Sequence, residues 1–368
     1  MDRKVLVATV VIAILVLSLV ITPSLAVKPP GVVERLDDEI RSHVTVILRV
    51  YKNGELVREK VGDPVTDTWI KAILSTFFLL YRQGLSFTCT DGTTKNWVYS
   101  DAAGEKTKGI LAIGTDQSPA STSDYKLYAT YMRYTLDSTN YLIQDNANWI
   151  NVTISHTFIV NEAVNIAEAG LILQSGDGKQ VLVCRDSFTP VSLNPDDGIT
   201  IEYNFNIRKD PPFTEYFWGV IINVFLGYRG STGSYWHNHK FLTYNSGRGQ
   251  TVINSHKLQW AYVLSDEPWS PTPTLASTSS IRNIDLSLVS WSVENQSFNL
   301  HIRLDELDQN MYEAYGIAIY TYVCTGIDSY NWAVYSTYLV AYIRYPNPPI
   351  TANRYTYHII DLGVNFNV

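Results

Sequence analysis

Between Trp149 and Ile207 the chain alternates polar and apolar residues in short runs broken by turn-forming clusters. WINVTISHTFIV (149–160) places Ile150, Val152, Ile154 and Phe158 on one face. AGLILQ (169–174) turns at Ser175-Gly176-Asp177-Gly178 into KQVLVCRDSF (179–188), and Asn194-Pro195-Asp196-Asp197-Gly198 turns into ITIEYNFNI (199–207). A period of two buries one face of an extended strand and cannot bury one face of a helix. Further upstream, VTVILRV (44–50) and ELVREKV (55–61) flank Asn53-Gly54, the strongest short hairpin signal available. Short strands joined by tight turns fold as antiparallel sheets. The expected fold class is therefore mainly β, in jelly-roll-like antiparallel β-sandwiches.

One helix interrupts the pattern. In TWIKAILSTFFLLYR (68–82), Trp69, Ile73, Phe77 and Leu80 recur at three and four residues, and Thr66 or Asp67 can cap the first turn. It is apolar nearly all round, so it should be buried. The order helix, loop, alternating strand, Glu-Ala strand and closing strand then recurs. FWGVIINVFLGYR (217–229) answers the helix, and YVLSDEPWSP (262–271) answers AIGTDQSP (112–119). SFNLHIRL answers the 149–160 strand, Glu313-Ala314-Tyr315-Gly316 answers Glu168-Ala169-Gly170, and VNFNV (364–368) answers YNFNI (203–207). The offsets are 147 (Arg82 to Arg229), 150 (Asp116 to Asp266), 148 (Ile150 to Phe298), 145 (Glu168 to Glu313) and 161 (Asn204 to Asn365). A divergent duplication follows. It gives a tether and hairpin over 27–61, a first sandwich over 62–210 and a second over 211–368, each with one buried helix. The boundary is set at the linker Lys209-Asp210-Pro211-Pro212.

The first 26 residues read as an export segment. Asp2-Arg3-Lys4 precedes an apolar run over 5–21, followed by Ser24 and Ala26 at the −3 and −1 positions of a cut before Val27. The same run, left uncleaved, is just long enough for a membrane anchor. Either way the body of the chain is expected outside the cell or on its surface, touching a membrane only through residues 5–21. A net charge of −7 argues against gripping nucleic acid. Of the three cysteines, Cys89, Cys184 and Cys324, either one pair bridges or all are buried as small hydrophobes.

Arg185-Asp186-Ser187-Phe188-Thr189-Pro190-Val191-Ser192-Leu193-Asn194-Pro195, followed by Ile199, Ile201 and Tyr203, comes after AIGT…SP and Glu168-Ala169-Gly170-Leu171. This order resembles the β-sandwich modules of phage tail-fibre and virion proteins. It is similar in kind to the secreted jelly-roll subunits of archaeal surface filaments and cannulae. The resemblance covers residues 62–208 well and 211–368 poorly. It implies architecture and assembly and carries over no catalytic residue.

No nucleophile elbow, zinc helix, P-loop, dinucleotide fingerprint or EF-hand loop occurs, so the chain is read as a non-enzyme without a cofactor. His237 and His239, with His256 as a third ligand, form the best metal candidate, against the reading of 230–249 as a solvated loop. Asn194, Asp196 and Asp197 could hold calcium but fit a backbone turn better. Glu168 and Glu313 fit carboxylates that capture backbone N–H groups rather than catalytic acids. Asn151 and Asn295 head glycosylation sequons. Among many aromatics expected mostly in the core, Trp236 and Trp269 are the candidate contact residues for glycans. The leading expectation is a secreted or surface structural protein that associates with itself or with other surface proteins. Its mechanism would be β-strand addition by residues 27–61 to a neighbour's sheet edge. A carbohydrate-binding or adhesive module is the alternative.

Overall fold

The structure, a computed structural model, describes residues 44–63, 65–98, 100–101, 107–228, 242–243, 256–271, 275, 277–294, 296–305, 310–327, 333–346, 349–352 and 357–366. The fold is mainly β, 55% strand and 12% helical, so alternation rather than helical period governs it. The sheets between long strands are all antiparallel.

In the first half, β1 (Val44–Lys52) and β2 (Glu55–Val61) form the expected hairpin, and α1 (Asp67–Phe77) follows. Then come β3 (Lys108–Gly114), β4 (Thr130–Thr135), β5 (Tyr141–Asp145), β6 (Trp149–Ile159), β7 (Val164–Gln174), β8 (Gln180–Leu193) and β9 (Gly198–Arg208). They build one sheet in the order β2-β1-β9-β6-β5 and another in the order β8-β7-β3-β4. The second half runs α2 (Glu215–Val220), β10 (Lys257–Val263), β11 (Arg282–Asn283), β12 (Val289–Glu294), β13 (Ser297–Asp305), β14 (Gly316–Ile327), β15 (Ala333–Arg344) and β16 (Tyr357–Asn365). Its sheets are β15-β14-β10-β11 and β12-β13-β16. Strand for strand this is the order of the first half. What the second half lacks, among the described residues, is a counterpart of the β1–β2 hairpin.

That hairpin is integral to the first half. β1 pairs with β9 over nine residues, from Val44 opposite Ile207 to Lys52 opposite Ile199. Its inward side chains Val44, Val46, Leu48 and Val50 are 0–2% exposed. Asn53 and Gly54 both take left-handed backbone, at φ 50° and 86°, as a tight hairpin turn requires. Asn53 also clamps the turn before β9. Its Oδ1 accepts from Gly198 N at 2.7 Å, and its Nδ2 donates to Asp197 Oδ1 at 2.8 Å.

Each helix is docked by the same device. Val65 bridges Cys184 on the outer edge of β8, and Phe213 bridges Ala341 on the outer edge of β15. Thr66 N donates to Val183 O and Thr214 N to Val340 O, both at 2.9 Å, while the two threonine hydroxyls donate to Leu182 O and Leu339 O. α1 is shorter than the expected 68–82. Leu79 turns left-handed at φ 62°, and a 3-10 turn, Leu80–Gln83, replaces the last helical turn. α2 is shorter than the expected 217–229 and passes into a π turn at Ile221–Phe225, where Asn223 Nδ2 donates to Gly219 O.

The segment expected as a linker is clamped. Lys209 is buried and pairs with Asp145 and Glu215, each at 2.5 Å. The halves share one core. Phe77 meets Phe217 edge-on at 5.3 Å, Phe78 meets Phe298 at 5.7 Å, and Trp69 meets Phe366 at 5.2 Å while its Nε1 donates to Phe225 O.

Burying each of the four inward β1 side chains contributes about 1.5–3 kcal/mol, so together they rival the ~5–15 kcal/mol that holds a whole domain. Removing residues 27–61, read from sequence as a tether and hairpin outside the first sandwich, should abolish cooperative unfolding in a thermal melt. A truncated chain that melts as sharply as the full one would show that the hairpin is dispensable.

Candidate functional site

Polar chemistry in the first half concentrates on β8, where Cys184, Arg185 and Asp186 are all fully buried. Arg185 lies opposite Gly170 on β7, where Leu127 packs into the space a side chain would take. Its Nε donates to Glu168 Oε2 at 2.7 Å, its Nη1 to Asp124 Oδ2 at 3.1 Å and Pro119 O at 3.3 Å. Its Nη2 reaches Asp116 Oδ2 at 2.7 Å and Ser118 O at 3.1 Å. The Tyr128 ring covers the guanidinium at 4.7 Å. Burial opposes the charge, but the bonds to Glu168 and Asp124 outweigh it and hold the pKa above its ordinary value. Glu168 spends its other capacity on backbone, accepting from Ala129 N at 2.9 Å and from Tyr128 N at 3.4 Å. The carboxylate reading of Glu168 is therefore correct in kind. All five donors of the guanidinium are matched by this chain, so the arrangement ties the 116–129 loop to β7 and β8 rather than presenting a reactive group.

Asp186 closes a second clasp, between the hairpin's exit and β8. Its Oδ1 accepts from Asp63 N at 2.5 Å, and Ser187 N donates back to Asp63 Oδ2 at 2.9 Å. Lys60 Nζ lies 2.7 Å from Asp63 Oδ1 and 3.7 Å from Asp186 Oδ1. The Cys184 thiol and the Tyr203 hydroxyl complete the surroundings, and burial pushes both of their pKa values up. Burial also raises the Asp186 carboxyl from 3.8 to about 7, against the lowering effect of Asp63 N–H.

The second half keeps the position and loses the charge cluster. Arg344 faces Gly316 as Arg185 faces Gly170, and it pairs with Asp266 on the surface. Glu313 is exposed, so the expectation that both glutamates capture backbone fails there. Tyr315 displaces the register, with its own N–H bonding Val263 O at 2.8 Å. Among the buried polar groups of this half, His358 is held between Tyr262 Oη at 2.8 Å and Tyr345 Oη at 2.9 Å. Burial lowers its pKa to about 4, so it is a neutral imidazole that donates to one tyrosine and accepts from the other.

The remaining sequence candidates scatter. Ala26, Val27, His237, His239, Trp236 and Asn295 lie outside the described residues. His256 is buried at 6.0 Å from Trp97, and burial lowers its pKa to about 3. Among the described residues no three His, Cys, Asp or Glu side chains are grouped to hold a metal ion. The Asp196–Asp197 turn is a backbone device. Asp196 is left-handed at φ 70°, and Asp197 accepts from Asn194 N at 2.8 Å, which with the Asn53 amide lowers its carboxyl to about 2. Asn151 is half-buried on the side of β6 opposite its apolar residues. Trp269 is half-buried against Val263, Ala318 and Tyr342. Trp97, Tyr216 and Trp218 are core residues. Cys89 and Cys184 are unbridged and buried. No described helix is long and apolar enough to cross a membrane.

Asp116, Glu168 and Arg185 fall within sequence motifs that no spacing joins, and nothing in the sequence singles out Asp124. The available signal was a charged residue on an otherwise apolar strand, Arg185 after VLVC. Comparison with protein families, curated proteins and solved structures finds no match to the chain.

Two outcomes test this assignment. Arg185→Met strands Glu168 and Asp124 in the interior and should cost about 3–5 kcal/mol in chemical denaturation. A loss below ~1 kcal/mol would mean the cluster is not holding the loop. Asp186 keeps its proton in the folded chain up to about pH 7, whereas an unfolded aspartate loses it near 3.8. Its stabilisation is thus complete below that value and falls as the pH rises through 7. Asp186→Asn should flatten the stability profile between about pH 4 and 7, by ~1.4 kcal/mol per pKa unit removed. An unchanged slope in that window would assign the titration elsewhere.

Proposed function

We propose that this chain is a secreted or cell-surface structural protein, built as two tandem jelly-roll-like β-sandwiches that assemble with further copies. The observation that supports it most is the saturation of Arg185. The most buried cluster of charge in the described fold is consumed entirely by its own loop and strands. An enzyme keeps polar groups of that kind unmatched and aimed at a cavity, whereas a scaffold spends them on rigidity. The basic and apolar start of the chain supports export. The resemblance to secreted jelly-roll filament subunits supports assembly.

Strand addition through residues 27–61 takes a restricted form in this reading. β1 already occupies the edge of β9 in its own chain, so a donor strand from a neighbour could enter only by exchanging with it. Electron microscopy of cell-surface material, labelled with an antibody to this chain, tests the proposal. Label along an ordered layer or filament is expected. Label confined to dispersed soluble protein would overturn it.

A further inference from the structure

Eight large apolar residues stand exposed in the described structure, and four of them belong to one surface. Leu56 (48%) and Val61 (55%) lie on β2, Leu142 (59%) on β5 and Ile159 (57%) on β6. All four point away from the core. Leu56 and Val61 lie opposite Tyr51 and Ile47, which alternate with the inward residues of β1. Leu142 alternates with inward Tyr141, and Ile159 with inward Phe158. They mark the margins of the outer face of the sheet β2-β1-β9-β6-β5.

Between them the face is mostly uncharged polar, with Arg49, Glu59, Glu202 and Arg208 as its charged residues. Asn151, Thr153, Ser155 and Thr157 on β6 stand beside Asn206, Asn204, Glu202 and Thr200 on β9. Asn204 Nδ2 donates to Thr153 Oγ1, and the Thr157 and Thr200 hydroxyls bond each other at 2.7 Å. These charges are paired, with Arg49 between Glu59 at 2.6 Å and Glu202 at 3.0 Å, and Arg208 2.8 Å from Asp210. The corresponding sheet of the second half is an internal control. Its outer face carries Glu294, His301, Arg303, Asp305 and Asp361, and none of the exposed large apolar residues. The same strand order thus presents a face with large apolar residues at its margins in one half and a face without them in the other.

We infer that the outer face of the five-stranded sheet is the surface on which two copies of this chain stack, related by a two-fold axis parallel to the strands. This rests on the assembly reading above and names its contact. Five strands about 4.8 Å apart and eleven residues at about 3.3 Å give a face on the order of 800 Å². A standard interface takes ~800 Å² from each partner, so the sheet alone suffices. One row of the pattern is self-complementary. Leu142, Thr153, Asn204, Ile47 and Val61 form one row across the sheet. A two-fold along the central strand, β9, lays Leu142 of one copy over Val61 of the other, twice. Stacked sheets tolerate a mutual rotation near 30°, which the twist of each supplies. Asn151 lies inside this face, so a glycan on it would stand between the two sheets.

Sedimentation velocity of the full-length chain over a concentration series tests this, with Leu142→Glu, Val61→Glu and the pair Leu142→Glu with Val61→Lys. Ile281→Glu, at an exposed apolar site in the second half, is the control. Thermal melts check that each variant folds. Either single glutamate should weaken association at least about tenfold, the charge pair should recover much of it, and the control should not move it. If the wild type associates and the single variants associate equally well, or if the control weakens it as much, this face is wrong while assembly stands. A wild type that stays monomeric at the highest concentration overturns both.

Discussion

Nine of the eleven residues of α1 are buried, and that single fact sets the layout of the molecule. A helix lying on one sheet hides one side and must offer water the other, which needs a polar stripe. α1 has none wide enough, since Asp67 and Lys71 are its only charged residues. Its own half covers it through β8. The opposite side is closed by the second half, through Phe217, Phe298 and Phe366. Two separately folded units on a flexible string could not satisfy this helix. The clamped Lys209 junction and the shared aromatic core follow from that requirement.

The halves solve the same packing problem with different polar devices. In the first, a guanidinium is taken fully out of water and repaid by several acceptors, a costly arrangement that works only when every donor is matched. In the second, the equivalent arginine has moved to the surface, and a neutral Tyr–His–Tyr chain occupies the core instead. The second device carries no charge to desolvate, so it tolerates imperfect geometry better. The first gives orientation, because a planar fork fixes the loop that meets it.

Local features were legible in the sequence and long-range ones were not. The hairpin, the 149–160 strand and the 199–207 strand agree with the structure to within a residue or two, because Asn-Gly turns and period-two alternation are decided by neighbours. The helix was read too long. Nothing in FFLLYR announces that Leu79 adopts a left-handed backbone so that Gln83 can reach the 286–289 segment of the other half. The Arg185 cluster draws on three separated stretches, and no spacing rule links Asp116, Asp124, Glu168 and Arg185. Repeat offsets carried more information than motifs did, since they align the two threonine latches, Thr66 and Thr214, at the same spacing as the strands.

Sheet-rich chains with so many strands must manage their edges, because an unpaired backbone recruits any strand that arrives. Here the outer edge of β8 is occupied along its length. Thr90 bonds Gln180, Val65 and Thr66 bond residues 182–184, Lys60 bonds Ser187 and Lys52 bonds Ser192. β15 is sealed by Pro212, Phe213 and Thr214 in the same manner. β2 is an edge strand with four charges among seven residues, Glu55, Arg58, Glu59 and Lys60, which resists a further strand by repulsion and hydration. β16 has no outer strand among the described residues, and Asp361 with its His301 partner and the nearby Arg303–Asp305 pair place charge along that sheet. Where backbone is withheld in this way, what a sheet offers outward is the side chains of its face. Faces discriminate by shape and charge, whereas an open edge accepts nearly any extended peptide, and only the former gives an assembly with defined neighbours.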